Sequence, residues 1–372
     1  MSHPLEIPGQ VFRVGGSVRD ELLGIASAGS ENGRSDCDWV VTGSTPEAME
    51  RAGLKRVGKA FPVFLDPGTG DQYALARTET KTGRGHQAFE FRFDPNVELA
   101  EDLKRRDLTI NAMALDPEGK LIDPYGGQRD LEDKVLRHVS DAFTEDPLRL
   151  FRVARFSATM PEFDVAPETL ELLSSMRDEL SELSAERVWQ EYAKAMNGLT
   201  PFRFFEVLSE SNALDPWFSG LAVISLISLL REFWLRDIDA MAAVAWLHDE
   251  PSSVALMRRL KAPGHVIRLT RDVARHGHSL SSYTTLKPDE ILVLLEKSNA
   301  FRPGQAFGRL VSSVEACSSI DLGELVQLVE EVRKVRVFNV SQEEYGWWLR
   351  RARLEAISKY SSDLNNTDEP SN

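Results

Sequence analysis

The sequence predicts an α+β fold, with a small mixed sheet near the amino terminus and an all-helical remainder, on three observations. Val11 to Val14 and Trp39 to Thr42 are short apolar runs rich in β-branched residues and read as buried strands. Apolar and polar residues alternate between Val57 and Thr78. After His138 the strand signals fade and the chain reads as helical. At 372 residues the chain exceeds one compact core, so two or more domains are expected.

The first strand closes on Gly15-Gly16, where a missing side chain lets backbone N–H groups approach a phosphate and the following helix presents its positive end. Arg19, one turn in, adds a cation. At the second strand Asp36 and Asp38 are two residues apart, and strand alternation points both carboxylates to one face. Two hard oxygen ligands at that spacing suit Mg2+, which prefers carboxylates together with water and substrate phosphate. Alone, a D-x-D or a GG is more often a turn. Together they imply a site for a nucleoside triphosphate with metal. Cys37, between the aspartates, should face the opposite way, into the core.

VGKAFPVFLD and QYALART read as strands joined by the turn PGTGD, completing the sheet. Glu79 to Asp94, rich in Lys, Arg and Gly, reads as a mobile loop over the site. The strand around Tyr73 to Leu75 offers no acid at its centre, so no third catalytic carboxylate is assigned. Thr109 to Leu115 reads as a helix or helical turn packed into the sheet domain. Arg105, Arg106 and Asp107 precede it; a carboxylate beside arginines can accept a ribose hydroxyl while an arginine binds phosphate, although a structural ion-pair network would read the same way.

EDPLRLFRVARF, Glu145 to Phe156, places Pro147 in the first turn of a helix and two acids where the dipole favours them. Asp146, Arg149, Arg152 and Arg155 recur every three residues among apolar neighbours, and buried arginines need acceptor partners. One carboxylate and one guanidinium can satisfy both cytosine and adenine, each of which offers an amino donor beside a ring-nitrogen acceptor. Uracil and guanine reverse that pattern, and each group left unpaired costs about 1 to 3 kcal/mol. Further on, SAERVWQEYAKAM begins with a capping serine and runs at helical spacing. The pair His248-Asp249 has no further histidine or aspartate motif around it and is not expected to hold a metal.

GGSVRD, LLG and DCDWVVTGSTPEAM together resemble the head of the class II tRNA nucleotidyltransferases, the CCA-adding enzymes, and of their relatives the bacterial poly(A) polymerases. The loop SAGSENGRS looks longer and more polar than the family usually carries, as a surface insertion can. The resemblance implies a polymerase β-like nucleotidyltransferase head over 1–137, a helical neck with the base-reading helix over 138–200, a helical body over 201–262, and a helical tail for tRNA over 263–372. The final DLNNTDEPSN is expected to be disordered. It further implies that Asp36 and Asp38 hold the catalytic Mg2+, that Gly16 and Arg19 touch the triphosphate, and that Arg106 and Asp107 favour NTP over dNTP. Asp146 and Arg149 would read the base, with Arg152 and Arg155 also binding nucleotide. DPYGG resembles the family's hinge, the loop at Glu79 to Asp94 its flexible loop, and Glu186, Arg187 and Glu191 its bracing ERxxxE element. The implied reaction is addition of C, C and A to the 3′ end of tRNA from CTP and ATP. A poly(A) polymerase, or an enzyme adding only CC or only A, shares these signatures; a non-catalytic RNA-binding protein would not be expected to keep both aspartates.

Composition is compatible with that reading: 42% apolar and 27% charged residues describe an ordinary globular protein. MSHPLEIPGQ lacks the basic start and apolar core of a signal peptide, and the longest apolar run, near Leu221 to Leu230, is too short for a bilayer, so no membrane association is expected. Cys37 and Cys317 form neither a metal spacing nor a disulfide framework, which fits a reducing cytoplasm. No protein partner is implied. The net charge of −14 opposes non-specific RNA binding. Basic residues nevertheless cluster at Lys104 to Arg106, Arg258 to Lys261, Arg333 to Arg336 and Arg350 to Arg353, and Arg268, Arg271 and Arg275 share one helix face.

Overall fold

The structure is a computed structural model that describes residues 6–25, 38–57, 63–81, 89–92 and 95–367. The chain forms two compact units, Met1–Glu191 with Glu206–Pro216, and Tyr192–Phe205 with Trp217–Asn372.

The first unit is built on a seven-stranded sheet of order β3-β4-β5-β2-β1-β8-β9. Its strands are β1 (Gln10–Val14), β2 (Asp38–Thr42), β3 (Lys55–Val57), β4 (Val63–Leu65), β5 (Gln72–Leu75), β8 (Ala114–Leu115) and β9 (Leu121–Ile122). β2 and β5 run parallel and every other neighbouring pair is antiparallel, so the sheet is mixed as the sequence predicts. Alternation along the strands fills two cores. Phe12, Val14 and Val40 pack with Leu103 on one face, near helix α3 (Leu99–Lys104), while Val41, Tyr73 and Leu75 pack with Met49 of helix α2 (Pro46–Arg51) on the other. Helix α1 (Gly16–Leu22) follows β1 directly.

Four stretches differ from the sequence reading. Thr109 to Leu115 was expected to be helical, yet only Thr109–Asn111 forms a 3₁₀ turn and Ala114–Leu115 is strand β8, paired with β1. The final DLNNTDEPSN was expected to be disordered, yet the helix Tyr345–Thr367 runs into it. Glu79 to Asp94 was expected to be loop throughout, yet β6 (Thr78–Lys81) and β7 (Phe89–Arg92) pair as an antiparallel ribbon; the run Thr-Glu-Thr and the run Phe-Glu-Phe each alternate as strands do. The residues between them lie outside the described ones. Strands were also expected to cease after His138, but β11 (Asp164–Val165) pairs in parallel with β10 (Val135–Leu136). Two residues are too few to carry a periodic signal.

Helix α4 (Gly127–Glu132) lies between β9 and β10, opened by Gly126 in the left-handed region and capped by the Asp123 carboxylate, which accepts from Gly127 N and Gln128 N. Gly127 meets the 3₁₀ turn Thr109–Asn111 so closely that a Cβ would run into the Thr109 carbonyl oxygen. Helices α5 (Leu148–Thr159), α6 (Pro167–Met176) and α7 (Ala185–Met196) follow.

The second unit is helical among the described residues, consistent with the reading after Pro201. After α8 (Phe202–Glu210) come α9 (Val223–Glu232), α10 (Asp237–Leu247), α11 (Glu250–Arg259), α12 (Gly264–Ser281), α13 (Pro288–Lys297), α14 (Ala306–Ser318), α15 (Gly323–Lys334) and α16 (Tyr345–Thr367). Its core includes Val273, Leu295, Val314, Leu325 and Val332. No helix among the described residues is long and apolar enough to cross a membrane. Cys317 is buried, which pushes its thiol up to about 12 and leaves it unreactive; Cys37 lies outside the described residues.

The His248-Asp249 pair is occupied structurally. His248 Nε2 accepts from Ala222 N and its Nδ1 lies 2.8 Å from the Val244 carbonyl oxygen, while Asp249 caps α11 through Ser252 N. Of the basic clusters, Arg275 and Arg271 face Glu250, Arg350 faces Glu296, and Arg333 donates to the Ala300 carbonyl. These arginines stabilise the helical unit as well as charging its surface.

Candidate active site

β1 ends at Val14, and Gly15 turns the chain at φ +76°, a region that disfavours any residue with a Cβ. The turn is also tight: a Cβ on Gly15 would sit 3.0 Å from Arg106 Nη1. Arg19, on α1, does not reach outward freely. Its Nη1 donates to Asn111 Oδ1 at 2.7 Å, its Nη2 to Asp20 Oδ1 at 2.7 Å, and its guanidinium carbon lies 5.3 Å from the centre of the Phe156 ring.

Asp38 opens β2 opposite Val14 of β1, and the parallel pairing with β5 sets Gln72 opposite it on the other side. Asp38 therefore shares a sheet face with Val40 and is the first residue of the strand. Asp36 lies outside the described residues. Among the described residues no three His, Cys, Asp or Glu side chains gather as a metal site.

Arg105, Arg106 and Asp107 follow α3. The buried Asp102 carboxylate braces both arginines, 2.5 Å from Arg105 Nη2 and 3.5 Å from Arg106 Nη2. Burial alone would raise the Asp102 pKa, but the two guanidinium groups outweigh it and hold it below the usual value. Arg106 Nε is buried without a hydrogen-bond partner, while its Nη1 stands beside Gly15. Asp107 is more fully engaged. Its Oδ1 accepts from Leu108 N and from Asn111 Nδ2, and its Oδ2 from Arg152 Nε at 2.8 Å and Nη2 at 2.6 Å. Burial opposes its ionisation, yet Arg152, Asn111 and the Leu108 N–H together hold its pKa far below the ordinary carboxylate value. All the acceptor positions of Asp107 are thus in use, and accepting a ribose hydroxyl would require one of these bonds to open.

α5 carries the remaining residues. Asp146 Oδ1 accepts from Leu148 N and its Oδ2 from Arg187 Nη2 at 2.7 Å, which leaves acceptor capacity on both oxygens. Arg149 is set in place by two backbone carbonyls, those of Ala142 and Arg105, each 2.6 Å away. Arg155 pairs with the buried Glu191 at 2.5 Å and lies over the Phe156 ring. Burial lowers the Arg155 pKa, whereas Asp107 raises that of Arg152.

Asp38, Arg106, Asp107, Asp146, Arg149 and Arg152 line one cleft of about 450 Å³. Gly16, Arg19 and Arg155 do not line it; Arg19 bonds the lining residue Asn111, and Arg155 pairs with Glu191. Six arginines and three aspartates face the cleft among the described residues, a local positive excess in a chain of net charge −14. Such a cavity favours a polyanion beside a hydrogen-bonding edge. Polar wall residues that carry no sequence signal for this cleft include Arg187 of the bracing ERxxxE element, Arg77 within the strand segment QYALART, and Asn111, four residues after Asp107.

Comparison with known proteins agrees with this architecture. The family model described as the poly A polymerase head domain matches residues 11–137, and that described as the "Probable RNA and SrmB- binding site of polymerase A" matches residues 162–224. A CCA-adding enzyme of Coxiella burnetii is 39% identical over 362 residues, covering 94% of both chains. Among solved structures, the Thermotoga maritima CCA-adding enzyme complexed with tRNA superposes with a TM-score of 0.65 at 20% identity, covering 97% of this chain and 92% of that one. A CCA-adding enzyme in complex with CTP gives 0.63 at 22% identity, covering 98% and 93%. These last two establish the shared fold, an amino-terminal nucleotidyltransferase head followed by helices. With the Coxiella relative alike along nearly its whole length, the chain belongs to the family of CCA-adding enzymes.

Proposed function

We propose that the protein adds C, C and A to the 3′ end of tRNA from CTP and ATP, releasing pyrophosphate, in the cytoplasm. The observation that carries this reading is the single cleft that holds Asp38 at one wall and Asp146 with Arg149 at another, amid an excess of arginines. A triphosphate and a base edge can be met in the same cavity.

Nucleotidyltransferases of this family generally use a divalent metal. Asp38 fits such a group in donor chemistry, a carboxylate at the cleft wall, and Asp36 would complete the pair in sequence. Asp38, with Asp36, would hold Mg2+, which when bound would supply charge stabilisation for phosphoryl transfer and a lowered hydroxyl pKa. Arg106 and Arg152, which both line the cleft, bind the triphosphate. Gly15 shapes the turn beside Arg106, Gly16 leaves room for the Arg19 guanidinium, and Arg19 holds Asn111 of the wall. Asp146 accepts the amino group of cytosine or adenine while Arg149 donates to the adjacent ring nitrogen. Arg155 anchors α5 to α7 through Glu191. The head would span 1–137, the neck 138–200, the body 201–262 and the tail, with tRNA as its partner, 263–372.

Incubating the protein with tRNA lacking its 3′ end and each NTP singly or together, then sequencing the product termini, tests the reaction. The expected product with CTP and ATP ends in CCA, with no extension from UTP or GTP. Long A tracts would instead identify a poly(A) polymerase, and termini stopping at CC or accepting A alone would identify a partial enzyme.

A further inference from the structure

We infer that Asn111 is a positioning residue that fixes two arginines of the nucleotide site relative to one another, Arg19 on α1 and Arg152 on α5; the inference rests on the reading of this cleft as the NTP site. Asn111 is buried on the 3₁₀ turn Thr109–Asn111. The turn is itself immobilised, because Thr109 Oγ1 donates to the buried Asp130 at 2.6 Å and Gly127 packs directly on the Thr109 carbonyl. From this fixed base the amide serves two partners of opposite charge. Its Oδ1 accepts from Arg19 Nη1 at 2.7 Å, and its Nδ2 donates to Asp107 Oδ1 at 3.0 Å. Asp107 passes the constraint on, since its Oδ2 takes both Arg152 Nε and Nη2. An unbroken polar chain therefore runs Asp20, Arg19, Asn111, Asp107, Arg152 across three separate segments of sequence.

Only a neutral side chain with an acceptor and a donor on one rigid plane meets this demand. Aspartate would offer Arg19 its acceptor but set a second carboxylate against Asp107. Alanine would leave Arg19 Nη1 and Asp107 Oδ1 each short of a bond in a poorly solvated place. Arg19 does not line the cleft, whereas Asn111 and Arg152 do, so Asn111 is the link between α1 and the arginine that faces the triphosphate.

The test is steady-state addition of CMP to tRNA lacking its 3′ end by the full chain, comparing wild type with Asn111→Ala, Asn111→Asp, Arg152→Lys and the double variant Asn111→Ala/Arg152→Lys. Asn111→Ala is expected to lower kcat/KM for CTP about tenfold or more, the scale of a lost hydrogen bond to a charged group, while KM for tRNA stays unchanged. Asn111→Asp, which conserves volume, is expected to lose as much and decides the matter if the truncated variant does not fold. Residues acting in series are non-additive, so the double variant should fall no more than about twofold below the worse single one. Wild-type kcat/KM in Asn111→Asp, full multiplication of the two single effects, or an equal rise in KM for tRNA and CTP would overturn the inference. A wild-type chain that adds no nucleotide would overturn the reading of the cleft, and this inference with it.

Discussion

Arg187 on α7 donates from Nη2 to Asp146 Oδ2 at 2.7 Å, so the carboxylate at the head of α5 is held by a helix that sequence alone presents as scaffold. With Leu148 N on its other oxygen, each Asp146 oxygen has one bond made and one lone pair left. Removing Arg187 frees the carboxylate to rotate. Arg187→Ala is expected to reduce the CTP over UTP preference about three- to tenfold, the smaller part of a charged hydrogen bond because both side chains are partly exposed. Single-turnover incorporation of each NTP measures it.

Asp38 is exposed at the start of β2 and lines the cleft, so the proposed role in chemistry is separable from packing. Asp38→Asn should lower kcat by at least about a thousandfold while changing stability by no more than about 0.5 kcal/mol. Primer extension on tRNA and thermal unfolding separate the two. Substantial residual activity in this variant would remove Asp38 from the reaction.

The Asp107–Arg152 pair makes stability depend on pH in a defined direction. The folded pKa of Asp107 is depressed below its ordinary 3.8, chiefly because Arg152 overcomes the effect of burial. Its stabilisation is therefore complete above about pH 4 and is lost as pH falls from there toward the depressed folded value. Asp107→Asn should unfold more easily at pH 7 by about 2–3 kcal/mol, allowing for the partial exposure of Arg152. It should also lose less stability than wild type between pH 4 and pH 2. Urea melts across that range give the comparison, and parallel slopes would contradict the pairing.

Gly127 is a packing constraint. A methyl group there meets backbone at Thr109 and the Met113 side chain, neither of which can withdraw without moving the turn that bears Asn111. Gly127→Ala should destabilise by at least about 2 kcal/mol. It should also impair nucleotide addition beyond the loss of folded protein.

Much of this arrangement is legible in the sequence. β1 and β2 fall where β-branched runs place them, and the Gly15 turn, the helical turn at Thr109 and α5 stand where their signatures indicate. What escapes are features decided by tertiary pairing. The ribbon of β6 and β7 is obscured by its Lys- and Gly-rich surroundings, and β10 and β11 exist only because each supplies the other's backbone partner. The same limit applies within the site. Spacing every three residues singles out Asp146, Arg149, Arg152 and Arg155, but does not foretell that Arg155 turns to Glu191 and does not line the cleft. Nor could it reveal that Asp107 spends its oxygens on Arg152 and Asn111. A carboxylate's partners are chosen by distances between segments that sequence order does not encode.

The most direct test of base choice by Asp146 and Arg149 is the ratio of kcat/KM for CTP to that for UTP in Arg149→Ala. Arg149 is fixed by the Ala142 and Arg105 carbonyls and faces the same cleft as Asp146, so its loss should leave a working enzyme with a poorer eye for the base. The ratio is expected to fall at least about tenfold, equal to one unpaired donor or acceptor, while CMP addition continues. A ratio equal to that of wild type would contradict the assignment.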